Sequence, residues 1–277
     1  CDCLERPGFS MLAYNNSMIC PKCSAELVLE GRTFKCLNGH CFDRAKQGYV
    51  NLSMKQKASG DNKEMVKARS RFLEKGYYGF LRDELEKLMK ENHPQVYLDL
   101  GCGQGWYTKK LAEHADQSYG IDLSKEAVHY AAAHDKKTQY IVGSIFHLPF
   151  KDDSVDVMTS VFTPIPEQEA WRVLKKDGLL ITVSPDAGHH RQLKEVLYEQ
   201  VRLNDAPPVL ESFEKVDEIH LSKTEHVMEL MDLLEMTPYR YKSPRKGIEA
   251  LEAIQDGLDV DFQFVIQIWR KKYENKD

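Results

Sequence analysis

The chain has 277 residues, with 38 Lys and Arg against 43 Asp and Glu, enough length for one large α/β domain with a small appendage. No apolar run approaches the ~20 residues of a membrane helix and no charged-then-apolar leader precedes the first motif. No membrane partner and a cytoplasmic location are therefore expected. The charge is uneven: residues 18–75 carry 12 Lys and Arg against 6 Asp and Glu, a basic front that suits a nucleic-acid backbone, although charge alone fits a solvated face as well.

Residues 1–17 lack periodicity and read as an N-terminal extension, with Cys1 and Cys3 outside the fold. Cys20, Cys23, Cys36 and His40 then set the spacing C-x2-C-x12-C-x3-H. Seven cysteines crowded toward one end suit a metal better than a disulfide framework. Two close ligand pairs, on turns flanking a hairpin of residues 27–29 and 33–35 around Gly31, are expected to hold a structural Zn²⁺. Cys41 competes with His40 for the fourth position, and His40 keeps the better spacing from Cys36. Residues 55–63 read as a polar, basic linker loop with a turn at Gly60-Asp61. Helical periodicity follows over 64–73 and 77–91, broken at Gly76 and closed at Pro94.

The rest of the chain is arranged around residues 96–108, Val-Tyr-Leu-Asp-Leu-Gly-Cys-Gly-Gln-Gly-Trp-Tyr-Thr. A buried parallel strand breaks at Gly101, Gly103 and Gly105 before a helix, and glycine lets the backbone turn sharply and leaves room for a ligand. A second strand, 117–121, ends in Asp122, where a doubly wound fold puts a carboxylate on ribose hydroxyls. Dinucleotide enzymes share this outline. With Asp99 inside the strand, however, the pattern Asp-x-Gly-x-Gly-x-Gly resembles motif I of the class I S-adenosylmethionine-dependent methyltransferases. Further on, the pattern predicts a helix over 125–134, strands over 139–142, 154–160 and 179–184, the last after a Lys176-Asp-Gly178 turn, and a helix over 191–203. A strand over 213–220, helices over 224–235 and 245–256, and a strand over 261–269 complete an α/β, Rossmann-like, seven-stranded sheet whose last strand is antiparallel.

The zinc spacing is followed by Phe42-Asp-Arg-Ala-Lys-Gln-Gly-Tyr-Val-Asn-Leu52, by Ala68-Arg69-x-x-Phe72-Leu73-x-x-Gly76-x-Tyr78 and then by motif I. With the Met236-Thr-Pro238 turn and Asp261-Phe-x-x-x-Ile-x-x-Trp269, this order resembles the RlmA family of bacterial 23S ribosomal RNA (guanine-N1)-methyltransferases. The resemblance runs from about Cys20 to the C-terminus. It implies a zinc-ribbon RNA-binding domain over 18–54, a linker and helices over 55–93 and a methyltransferase domain over 94–277. It implies further that S-adenosylmethionine is held by Tyr78, Asp99, Gly101, Gly103, Gln104, Gly105, Asp122 and His189. Ser144 stands where such enzymes usually carry an acid for the adenine amino group, so the Ser144 hydroxyl or the Ile145 amide is expected there. The substrate would be N1 of a guanine in a 23S ribosomal RNA hairpin, and the resemblance suggests a homodimer.

At the carboxyl end of the fourth strand, Phe162 is placed to stack on a flipped guanine and Thr163 to read its edge, with Pro164 beside them; the prolines alone would make only a stiff turn. Guanine N1 carries a proton at neutral pH, so a base is needed. Asp186, Glu167 and Glu169 are the nearby carboxylates, and nothing in the sequence selects one. Three other readings compete: a small-molecule methyltransferase capped by a zinc ribbon, a non-catalytic adaptor built on the same fold, and a dinucleotide oxidoreductase, for which no hydride-transfer constellation appears.

Overall fold

The computed structural model describes residues 17–54 and 63–273. The expected extension up to residue 16, with Cys1 and Cys3, and the linker loop over 55–62 lie outside the described residues.

The N-terminal part is a small antiparallel sheet of β1 (Val28–Glu30), β2 (Thr33–Lys35) and β3 (Cys41–Asp43), with Leu29 opposite Phe34 and Phe34 opposite Phe42. Gly31, at φ +63°, turns the first hairpin as expected. The chain then forms β4 (Val50–Asn51), α1 (Lys63–Glu74), α2 (Gly79–Asn92), β5 (Val96–Leu100), α3 (Trp106–Leu111), β6 (Gln117–Asp122), α4 (Lys125–His134), β7 (Gln139–Val142), β8 (Val155–Val161), α5 (Glu167–Val173), β9 (Leu174–Pro185) and α6 (Arg191–Leu197). It closes with β10 (Phe213–Val227), α7 (Leu230–Glu235), α8 (Tyr239–Lys242), α9 (Arg245–Glu252) and β11 (Leu258–Lys271).

The large sheet runs β10-β11-β9-β8-β5-β6-β7-β4, with β4 to β9 parallel and β11 antiparallel to both β9 and β10. Strand order reverses between β5 and β8, so the crevice at their carboxyl ends is the topological switch point where doubly wound folds bind ligands. Every residue of β5 is buried. Alternation sends Tyr97 to one face, against Leu81, Leu85 and Met89 of α2, and sends Leu98 and Leu100 to the other.

The expected seven strands become eight, because β4, from the N-terminal part, joins the parallel edge: Val50 aligns with Ile141 and Asn51 with Val142. Met18 bridges Phe150, and Met18, Leu27 and Phe34 are buried in one core with Leu98, Ile121 and Ile141. At about 1.5–3 kcal/mol per large apolar side chain, that shared core ties the small sheet to the large one.

Other expectations are corrected. The predicted helix over 224–235 is strand as far as Val227, which pairs with Leu258, and helix only from Leu230. Thr224, Glu225 and His226 extend an exposed edge whose backbone bonds to β11 override the local helical pattern. The helix from Arg191 stops at Leu197, leaving an irregular connector over 198–212, and α9 stops at Glu252. The Lys176-Asp-Gly178 turn lies inside β9, where the ladder with β8 slips between Val155 and Val157.

Candidate active site and metal centre

The metal cluster forms on the small sheet. Backbone bonds from Ser24 to the Cys20 carbonyl and from Gly39 to the Cys36 carbonyl close two knuckles, each using a left-handed residue, Ser24 at φ +58° and Gly39 at φ +78°. They bring the donor atoms of Cys20, Cys23, Cys36 and His40 within 4.8 Å of one another. Cys23 Sγ is 3.7 Å from Cys36 Sγ, and His40 Nδ1 is 3.5 Å from the sulfurs of both Cys20 and Cys36. A tetrahedral Zn²⁺, with Zn–S near ~2.3 Å and Zn–N near ~2.0 Å, requires edges of about 3.8 Å between sulfurs and about 3.5 Å from sulfur to nitrogen. The residues fit zinc, and four protein donors make the site structural. Cys41 is exposed and directs its thiol to the Gly39 carbonyl.

The second site is a cavity of about 860 Å³ at the switch point. Gly101, Gly103 and Gly105 all take positive φ, +69°, +52° and +77°, so the turn after β5 needs glycine three times. Among the described residues, an added Cβ at Gly103 would meet only Arg69 Nη1, at 3.8 Å, leaving the turn open for a ligand to lie against it. Gly105 instead backs onto Tyr140 and Ala131 and caps α3.

Asp99 is buried beneath this turn. Its oxygens accept hydrogen bonds from Thr108 Oγ1 at 2.5 Å and Thr159 Oγ1 at 2.7 Å, linking β5 to α3 and β8. Burial lifts its pKa to about 6 against the pull of both hydroxyls. Asp122 Oδ2 accepts from the Gly103 N–H at 3.0 Å and Oδ1 from the Ser124 N–H at 2.7 Å, which fixes the carboxylate at the end of β6 on the cavity wall.

At the end of the neighbouring strand, Phe162 leaves β8 at φ +56°, a conformation that costs a side-chain-bearing residue about 1–2 kcal/mol. Its N–H is held by the Val183 carbonyl at 3.1 Å, and the half-exposed ring lies 5.4 Å from Phe264 and 6.2 Å from Tyr78. Such strain clusters at functional sites. Thr163 and Pro164 continue the same wall.

Tyr78 is fully buried and its hydroxyl lies 3.0 Å from His190 Nε2. His189 Nδ1 accepts from the Gln263 N–H at 3.1 Å, so its proton sits on Nε2, and burial lowers its pKa to about 3. Burial likewise keeps His190 neutral, with its pKa well below the ordinary value. Among the described residues, three buried polar atoms of the cavity lining have no protein partner: Gln104 Nε2, Tyr107 Oη and His190 Nδ1. Orphaned groups around an open glycine turn are what a polar cofactor would satisfy.

Of the residues expected to bind cofactor, the structure brings Tyr78, Asp99, Gly101, Gly103, Gln104, Asp122 and His189 into one lining, and Phe162, Thr163 and Pro164 join them. Gly105, Ser144 and Ile145 are not part of it; the Ser144 hydroxyl accepts from the Phe146 N–H at 3.2 Å instead. Sequence reasoning missed His190, which only the packing of Tyr78 reveals, and Pro208, Val209 and Leu210, which the aperiodic connector brings to the rim. Among the candidate bases only Glu167 lines the cavity. Asp186 is bound to His220 at 2.9 Å, and Glu169 to Arg172 at 2.8 Å and to the Leu148 N–H.

Residues 98–182 match the family described as "Methyltransferase domain", and residues 18–59 match "RlmA, N-terminal", a zinc ribbon. A 23S rRNA (guanine(748)-N(1))-methyltransferase of Streptomyces fradiae is 34% identical over 186 residues, 64% of this chain and 66% of that protein, just under two thirds of its length. YxjB of Bacillus subtilis, provisionally named a 23S rRNA (guanine-N(1)-)-methyltransferase, is 30% identical over 267 residues, 87% of this chain and 94% of that protein. Among solved structures, YcgJ of Bacillus subtilis superposes with a TM-score of 0.47 at 18% identity, covering 68% of this chain and 98% of that one. With a zinc ribbon and a methyltransferase domain in one chain, and a relative matched over nearly its whole length, this protein belongs to the RlmA family of 23S rRNA (guanine-N1)-methyltransferases.

Proposed function

We propose that this chain methylates N1 of a guanine in a hairpin of 23S ribosomal RNA, in the cytoplasm and as a homodimer. The observations that carry the substrate are the match to YxjB over 94% of its length and the match of residues 18–59 to the RlmA zinc ribbon. Phe162 supports it: a strained, half-exposed aromatic at the carboxyl end of β8 is a platform for a base swung out of its stack.

S-adenosylmethionine, when bound, supplies an electrophilic methyl group. The turn from Gly101 to Gln104 and the buried donors of Gln104 and Tyr107 would hold its methionine end, with Tyr78 and His189 beside them, and Asp122 would take the ribose hydroxyls. Asp99 acts from below, tying α3 and β8 to β5 so that the turn keeps its shape. Phe162 stacks on the guanine, with Thr163 and Pro164 at its edge. Donor and acceptor are thereby aligned, which can supply about 7–11 kcal/mol of the barrier. The zinc ribbon of residues 18–54 and the basic residues after it grip phosphates and position the RNA without taking part in chemistry.

The test is transfer of labelled methyl to ribosomal RNA lacking the modification, followed by primer extension. A stop at one guanine is expected, because a methyl on N1 blocks pairing. Absence of incorporation by protein that binds S-adenosylmethionine would overturn the reading in favour of a small-molecule acceptor.

A further inference from the structure

We infer that Glu167 is the residue that reads the guanine and takes its N1 proton, an assignment that rests on the proposed substrate.

The cavity lining contains three carboxylates, Asp99, Asp122 and Glu167. Two belong to the cofactor side: Asp99 spends both oxygens on threonine hydroxyls beneath the glycine turn, and Asp122 is oriented by the N–H groups of Gly103 and Ser124. Glu167 comes instead from the segment after β8. It is the first residue of α5, five positions beyond Phe162, and shares the wall formed by Phe162, Thr163, Pro164 and Ile165. Its Oε1 accepts from the Ser212 N–H at 2.5 Å, which pins the carboxylate to the connector that brings Pro208, Val209 and Leu210 to the rim.

A guanine swung onto Phe162 presents N1–H and N2–H₂ side by side, two donors in a row. The complement is a group with two acceptors and no donor, and an ionised carboxylate is the side chain that offers this. One bond already made to Ser212 leaves it further lone pairs. Neither adenine nor the pyrimidines show the same pair of donors, so one group supplies both recognition and chemistry. When the N1 proton passes to Glu167, the nitrogen pair forms the bond to the methyl carbon. The carbon–sulfur bond breaks with its pair left on sulfur, and the proton then leaves Glu167 for solvent.

The experiment uses the full chain and an RNA hairpin spanning the mapped site, with the target nucleotide either guanine or inosine, which lacks the N2 amino group. Single-turnover rates are compared for the wild type, Glu167→Gln and Glu167→Asp. Gln retains an acceptor for the Ser212 N–H but turns donors toward the base, so binding of S-adenosylmethionine and thermal stability serve as controls for folding.

The wild type is expected to methylate inosine about 10-fold or more slowly than guanine, as befits a lost bond to a charged acceptor. Glu167→Gln should lower the guanine rate by about 10²–10⁴-fold and bring the guanine-to-inosine ratio close to unity, and Glu167→Asp should recover part of both. A Gln variant within about threefold of wild type on guanine, or one that keeps the wild-type ratio, would overturn the assignment while leaving the methyltransferase reading intact. A wild type inert on both RNAs would overturn the substrate and this assignment together.

Discussion

The Thr163 side chain rests on the bare Cα of Gly101: a Cβ there would stand 2.9 Å from Thr163 Cβ and closer still to its hydroxyl oxygen. The turn after β5 and the loop after β8 thus touch at a residue that has no side chain.

Replacing that glycine is therefore costly twice over. Gly101→Ala forces a left-handed alanine at φ +69° as well as the collision. The backbone part alone is about 1–2 kcal/mol, or a Tm lower by roughly 2–8 °C for a chain of this size. Thermal melts should show that loss, and calorimetry should show weaker binding of S-adenosylmethionine. A variant that binds and melts like wild type would contradict the contact.

The metal centre predicts a contrast between neighbouring cysteines. Cys36→Ser should lose its zinc and lower Tm, because Cys36 is buried in the core that the small sheet shares with the large one. Cys41→Ser should keep the metal and the wild-type melt. Zinc content by atomic absorption decides it, and loss of metal from the Cys41 variant would make that thiol a ligand.

Acid should destabilise the fold through the histidine pair. Both rings bind a proton in the unfolded chain below about pH 6.5 but are held neutral when folded, His189 until about pH 3. Stability therefore falls as pH drops from about 6.5 toward 3, by about 1.4 kcal/mol per unit for each ring. Asp99 works the other way: its folded pKa of about 6 exceeds the unfolded value, so its contribution grows as pH falls from there toward 4. Urea unfolding of the wild type and His190→Gln isolates one ring. The stability gap between them should shrink by about 1.4 kcal/mol per pH unit below pH 6, and a gap independent of pH would remove His190 from the account.

Phe162→Asn keeps a residue that tolerates the left-handed turn and removes the aromatic face. Loss of stacking, about 1–3 kcal/mol per base, should lower kcat/KM for RNA by roughly 5- to 150-fold while leaving the affinity for S-adenosylmethionine within about twofold. An unchanged kcat/KM would rule out the ring as a platform for the base.

The core of this structure could be read directly from the sequence. Residues 96–108 are strand, turn and helix as written, since three glycines after a short, mostly apolar run admit few other conformations. Three of the metal donors are equally plain from their spacing, and the structure decides the fourth, placing His40 rather than Cys41 beside them. What escaped notice depends on contacts distant in sequence. The connector over 198–212 has no period, so nothing local says that Leu210 is buried or that Val209 reaches the rim. Residues 224–226 form strand because β11 offers partners, and Glu167 parts from Asp186 and Glu169 only once Arg172 and His220 have found them.

Strand β4 bears on how a target nucleotide would be chosen. A substrate grip on a floppy tether raises local concentration but leaves the reacting position free to wander. Here two residues, Val50 and Asn51, are stitched beside β7, and Leu52 donates to the Val142 carbonyl at 2.9 Å. On the proposed function, the span from grip to cavity then works as a ruler whose length is set by the width of three strands, and the guanine modified is the one lying that far from where the RNA is held.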